Sequence, residues 1–161
     1  MRYKVVPEPH GLDTLRAAHA AVALVPDSVE DCCTRIVDRT AIPSRDAARE
    51  WLTFLQALEL VRETPQGFER VRTDPDRERL AEAFERRVFG ARELLAALDD
   101  ATVTADEAFE HLRPAVGEWE RQRHTDWTAE WRERSRRLLA WAETFGLVAR
   151  EDDRYRAAER E

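Results

Sequence analysis

The sequence predicts a mainly α protein with short β-hairpins, organised as two tandem units joined by a long helix. Three observations carry that prediction. Apolar residues recur at helical spacing through most of the chain. Proline and glycine interrupt the spacing at a few places, among them Pro26, Pro43, Gly67 and Gly146. The stretch LQALELVRETPQGFERV, ending at Val71, also returns in outline as AETFGLVAREDDRYRAA, ending at Ala158. Leu60-Val61 falls on Leu147-Val148, 87 residues apart (147 − 60), and without a gap Phe54 then meets Trp141, Leu58 meets Phe145 and Phe68 meets Tyr155.

The elements follow in order. Met1 to Val6 reads as a short strand or arm stopped by Pro7 and Pro9. A helix runs from about Leu12 to Leu24, with Leu15, Ala18 and Val22 at helical spacing, and Pro26 ends it. Asp27 or Ser28 opens the next, whose apolar stripe is Val29, Cys32 or Cys33, Ile36 and Val37. The third has Ser44 as N-cap and buries Ala48, Leu52, Leu55 and Leu58, leaving Arg45, Arg49, Thr53 and Gln56 on the opposite face. Two short strands follow around Thr64-Pro65-Gln66-Gly67, whose proline and glycine suit a tight turn.

Three helices and then a hairpin, with a Leu-Val pair entering the hairpin, resembles the winged helix-turn-helix superfamily over about residues 10–72. The resemblance implies a third helix placed for contact and a hairpin wing beside it. It fixes no chemistry by itself.

Beyond residue 72 the spacing Leu80, Phe84, Val88, Ala91, Leu95, Leu98 describes one amphipathic helix, capped by Asp74 with Pro75 in its first turn and weakened only at Gly90. Thr104 to Glu107 looks like a capping box for a further helix that Pro114 should bend or end, and Gly117 to Asp126 has no clear pattern. A helix from Thr128 to Phe145 then faces Trp131, Ser135, Leu138, Leu139 and Ala142 inward, stops at Gly146 and leads into a second hairpin. The expected organisation is a first winged-helix-like unit at 1–72, a linking helix at 73–100 and a second unit at 101–161.

Composition narrows the function classes. With 161 residues and 43% hydrophobic content a core can be buried. No apolar run nears the roughly 20 residues of a membrane span, and the N-terminus lacks signal-peptide features, so a cytoplasmic protein is expected. Cys32 and Cys33 are sequence neighbours, which suits a reducing compartment better than a structural disulfide. His10, His19, His111 and His124 show no metal-ligand spacing, and no phosphate-cradling loop or nucleophile motif is present. Neither enzyme activity nor a cofactor or metal is expected.

The net charge is −7, and Lys4 is the only lysine among 26 basic residues. Generic attraction to polyanions is therefore poor, and nucleic-acid binding has to come from a local basic surface. In the second unit Arg132 and Arg136 lie along one helix face with Arg137 beside them, an arrangement suited to phosphates and guanine edges. Interleaved Glu130, Glu133 and Glu143 equally suit a solvated, internally paired face. In the first unit Arg45 and Arg49 are diluted by Asp46 and Glu50, while the first wing offers Arg62, Arg70 and Arg72 and the second a repelling Glu151-Asp152-Asp153 tip. Trp119 and Trp127 flank the patternless stretch and are candidates for partner contact. Two functions follow from the resemblance: a DNA-binding protein of the transcription-regulator type on double-stranded DNA, or a non-enzymatic interaction module, an adaptor or subunit of a transcription, replication or defence assembly. A homodimer is expected if the Leu80, Phe84, Val88, Leu95 stripe stays uncovered.

Overall fold

In the computed structural model the described residues are 2–99, 101–123 and 126–158, without the side chains of residues 119 and 123. The chain folds as two compact units, Met1–Val88 and Phe89–Glu161.

The first unit contains α1 (Leu12–Ala21), α2 (Val29–Arg39), α3 (Arg45–Ala57), the hairpin β1 (Val61–Thr64) and β2 (Gly67–Arg70), and α4 (Arg77–Arg87). Ser28 and Ser44 cap α2 and α3 by accepting from the Asp31 and Ala47 amides, each at 3.1 Å. Their apolar stripes meet in one core with Leu15, Ala18, Ile36, Trp51, Leu52 and Leu55 all buried. Cys32 and Cys33 belong to this core. Burial pushes the Cys32 thiol up to about 11 and the Cys33 thiol up as well, so both behave as small hydrophobes.

β1 and β2 pair antiparallel from Val61↔Arg70 to Thr64↔Gly67. Asp27 adds a third strand position on the far side of β2, exchanging backbone hydrogen bonds with Phe68 at 2.9 and 2.8 Å. Gly67 makes that approach possible: its φ is +132°, and a Cβ there would lie 2.3 Å from the Asp27 carbonyl oxygen. The N-terminal arm is fixed by a parallel bridge from Tyr3 to Val88.

The second unit contains α5 (Ala91–Ala97), β3 (Val103–Thr104), α6 (Ala105–Leu112), a 3₁₀ turn at Arg113–Ala115, α7 (Glu118–Arg123), α8 (Trp127–Thr144), β4 (Val148–Glu151) and β5 (Arg154–Ala157). Its three-stranded sheet has the order β3-β5-β4, all antiparallel. Thr104 caps α6 by accepting from the Glu107 amide at 3.1 Å.

The 87-residue separation seen between 60 and 147 extends to the hydrogen bonds. The Leu58 amide donates to the Phe54 carbonyl, Leu60 to Leu55 and Val71 to Leu60; Phe145 donates to Trp141, Leu147 to Ala142 and Ala158 to Leu147. Phe54 and Trp141 are equivalent and both fully buried. At the helix exit, where a left-handed residue turns the chain, Gly146 (φ 77°) has Glu59 (φ 64°) as its counterpart. Glu59 accepts ion pairs from Arg86 and Arg87 of α4.

Upstream the copies align at a shorter separation. Asp27 and Val103 pair with the equivalent residues Phe68 and Tyr155, 76 residues apart (103 − 27). The same shift sets Cys32, Cys33 and Ile36 over the buried Ala108, Phe109 and Leu112. The second copy therefore carries 11 extra residues (87 − 76) between its second and third helices, and α7 lies there.

The stretch expected as one linking helix at 73–100 is two. α4 is capped by Asp76 rather than Asp74, stops at Val88 in extended conformation, and α5 restarts after Gly90 at φ 93°. Helical periodicity persists across the break because each piece covers its own core: Leu80, Phe84 and Val88 are buried in the first unit, Ala91, Leu94 and Leu98 in the second. Leu94, not Leu95, faces inward. The uncovered stripe behind the homodimer expectation is thus absent.

Candidate nucleic-acid interface

In the first unit only five residues, 40 to 44, separate α2 from α3, as in a helix-turn-helix where the second of two helices is held for contact. α3 buries Ala48, Trp51, Leu52, Phe54 and Leu55 and turns Arg45 and Arg49 outward, one turn apart and both exposed. Arg45 donates to the Thr34 hydroxyl at 3.2 Å. Among the described residues no carboxylate pairs with Arg45 or Arg49, so both keep their charge for a ligand. Thr53 and Gln56 continue the face but are half-buried, and the Thr53 hydroxyl donates back to the Arg49 carbonyl at 3.2 Å.

The first wing is less open than its sequence suggests. Arg62 is exposed but pairs across the hairpin with Glu69 at 2.9 Å. Arg70 sits opposite the buried Val61, is itself half-buried, and has its Nε sequestered from solvent with no hydrogen-bond partner among the described residues. Arg72 is exposed just past β2.

In the second unit the expected reading face is partly neutralised. Arg136 lies on the Glu133 carboxylate through Nε at 3.1 Å and a terminal nitrogen, and Arg137 joins the same carboxylate through Nε at 3.2 Å. These hydrogen bonds, chiefly from Arg136, hold the Glu133 carboxyl below its ordinary range. Arg132 remains exposed, with its guanidinium 5.3 Å from the centre of the Phe109 ring. The expectation of two unpaired arginines on α8 is therefore corrected at Arg136. Glu133 occupies the place held by Asp46 in the first unit, where the side chain is one methylene shorter.

α8 also starts earlier than α3 does in the common alignment, and the 3₁₀ turn and α7 replace a short turn before it. Trp127 is half-buried, 6.5 Å from Phe109, with the Arg113 and Arg121 guanidiniums 5.3 and 4.9 Å from its ring centre. Trp119 lies on α7, but its side chain is outside the described residues, as is the whole of His124. On the second wing Arg154 meets Glu107 and Arg156 meets Glu151.

A family model described as the halobacterial double winged helix domain matches residues 1–161. The chain belongs to that family. No curated protein and no solved structure matches the chain. A double winged helix domain accounts for both copies of helix and hairpin, and the resemblance read from residues 10–72 extends to the second half. The sequence favoured the arginines of α8 over those of α3; in the structure Arg136 and Arg137 are paired with Glu133, whereas no carboxylate among the described residues pairs with Arg45 or Arg49. The deciding signal was already in the spacing: Glu133 stands three and four residues before Arg136 and Arg137, the helical reach of an ion pair, and of the two readings the paired face is the one the structure shows at Arg136 and Arg137.

Among the described residues no His, Cys, Asp and Glu side chains converge as a metal site, and no helix is long and apolar enough to cross a membrane.

Proposed function

We propose that this double winged helix domain is a DNA-binding regulator in which the first unit makes the DNA contact. The observation that carries the reading is the exposed Arg45 and Arg49 pair on α3, unpaired with carboxylates among the described residues. Arg132 and Arg136 hold the equivalent positions in the second copy, where Arg136 is neutralised by Glu133. Two exposed arginines at the start of a third helix suit contact with phosphates or base edges, and the exposed Arg72 beyond the wing adds a further positive charge to the same unit. The net charge of −7 and the Glu151-Asp152-Asp153 tip favour a second reading, an interaction module whose target is protein.

Fluorescence anisotropy with random duplex DNA, titrated across salt, separates the two. The double variant R45Q/R49Q should lower the slope of log affinity against log salt by about 0.9 for each phosphate no longer neutralised. R132Q/R136Q should leave that slope nearly unchanged. Loss of DNA affinity in neither double variant would retire the DNA reading in favour of the interaction module.

A further inference from the structure

We infer that the second unit carries a docking surface for an acidic protein segment, built on Trp127 and the arginines around it. The surface exists because of the 11 residues (87 − 76) by which the second copy exceeds the first. They replace a short turn with a 3₁₀ turn and α7, and bring Arg113, Arg121 and Trp127 together beside the start of α8. Three guanidiniums are held on two neighbouring rings: Arg113 and Arg121 on Trp127, and Arg132 on Phe109.

The Trp127 ring has two guanidiniums over it and the Phe109 ring one, contacts that use the π-faces and leave guanidinium N–H donors for other partners. Those donors form forks matched to carboxylates. Their present partners are few. Arg121 donates to the Arg113 carbonyl at 2.7 Å, and Arg113 meets the exposed Glu110 carboxylate at 3.5 Å. Among the described residues no carboxylate pairs with Arg121 or Arg132.

Charge complementarity selects the occupant. Three clustered cations on a chain of net charge −7 call for an anion. Arginines already take up the Trp127 ring, which leaves it poorly placed to stack a nucleobase, the main source of single-strand affinity. Phe109 is fully buried and offers no platform of its own. An incoming segment rich in Asp and Glu needs only the guanidinium edges. Arginines fixed on rings also lose less freedom on binding than mobile ones, so binding begins with part of its ordering complete.

The test is a titration of the full chain with a fluorescein-labelled Asp/Glu-rich peptide, its Asn/Gln counterpart, and a single-stranded oligonucleotide of similar length. The acidic peptide should bind and the neutral one should not. R113Q/R121Q should weaken the peptide by about tenfold or more, as expected for close charge pairs, with duplex binding by the first unit unchanged. R132Q alone should weaken it to a lesser degree, which keeps the test valid if the double variant unfolds. Absence of peptide binding, equal binding by the variants, or tighter binding of the oligonucleotide would each overturn the proposal. Because duplex binding is read separately, failure here does not bear on the DNA reading, nor the reverse.

Discussion

His19 on α1 is 6% exposed, and its Nε2 lies 3.0 Å from the Val71 carbonyl at the exit of the first wing. A carbonyl only accepts, so this nitrogen carries the proton in the neutral ring. Burial lowers the pKa of His19 from its ordinary 6.5, against the hydrogen bond to Val71 that raises it, and Arg70 nearby lowers it further. The folded state thus binds a proton less readily than the unfolded state. Stability from this group is complete above 6.5 and is lost as pH falls from there through the lower folded value. Denaturant unfolding of wild type and His19→Gln over that range should show a steeper acid-side loss in wild type. Parallel curves would show that His19 does not set the slope. This tie could not be read from residue type. The sequence placed one of the two cysteines, Cys32 or Cys33, on the apolar stripe; packing shows that both are buried.

At the scale of elements, most of the fold was legible because local chemistry and burial agree. Ser44 and Thr104 cap the helices their spacing announced, Gly146 ends α8, and both hairpins form. Gly90 was visible as the weak point of the expected linking helix, but a full break there was masked because two separate cores supply one continuous apolar rhythm. Asp27 as a strand partner was hidden too, since a single bridge has no alternation to detect. That bridge changes the meaning of Gly67, which the sequence offers only as a turn residue. Gly67→Ala forces a Cβ into the Asp27 carbonyl at a φ that alanine resists. It should cost about 1–3 kcal/mol for the strained backbone, plus any loss of the Asp27–Phe68 hydrogen bonds. Gly117, where a Cβ would meet nothing within 4 Å, is the control: Gly117→Ala should be close to neutral in the same unfolding assay.

Across the whole molecule, 33 acidic residues against 26 basic ones give self-repulsion that local ion pairs only partly offset. The pairs are mostly exposed, as with Arg62–Glu69 and Arg156–Glu151, and such pairs contribute roughly 0–1 kcal/mol each. Added salt weakens both, and the net repulsion acts over longer range. The Debye length falls from about 10 Å at 0.1 M to about 3 Å at 1 M, so the thermal midpoint should rise over that interval in KCl. A flat or falling midpoint would mean that the ion pairs outweigh the repulsion. The candidate site was legible only in outline at this scale: the arginines were visible, but which of them stay unpaired depended on Glu133.

The two units meet at consecutive residues, Val88 and Phe89, with no spacer between them. Any target bound by one copy is therefore tethered through the chain to any target bound by the other, so a second binding event is intramolecular. For a short connection the effective concentration is on the order of millimolar. If both proposed contacts hold, an acidic segment that binds Trp127 and its arginines too weakly to be retained from free solution would be retained by a chain whose Arg45 and Arg49 hold DNA. Avidity of this kind needs no added interaction, only an intact chain and two sites that can be engaged at once.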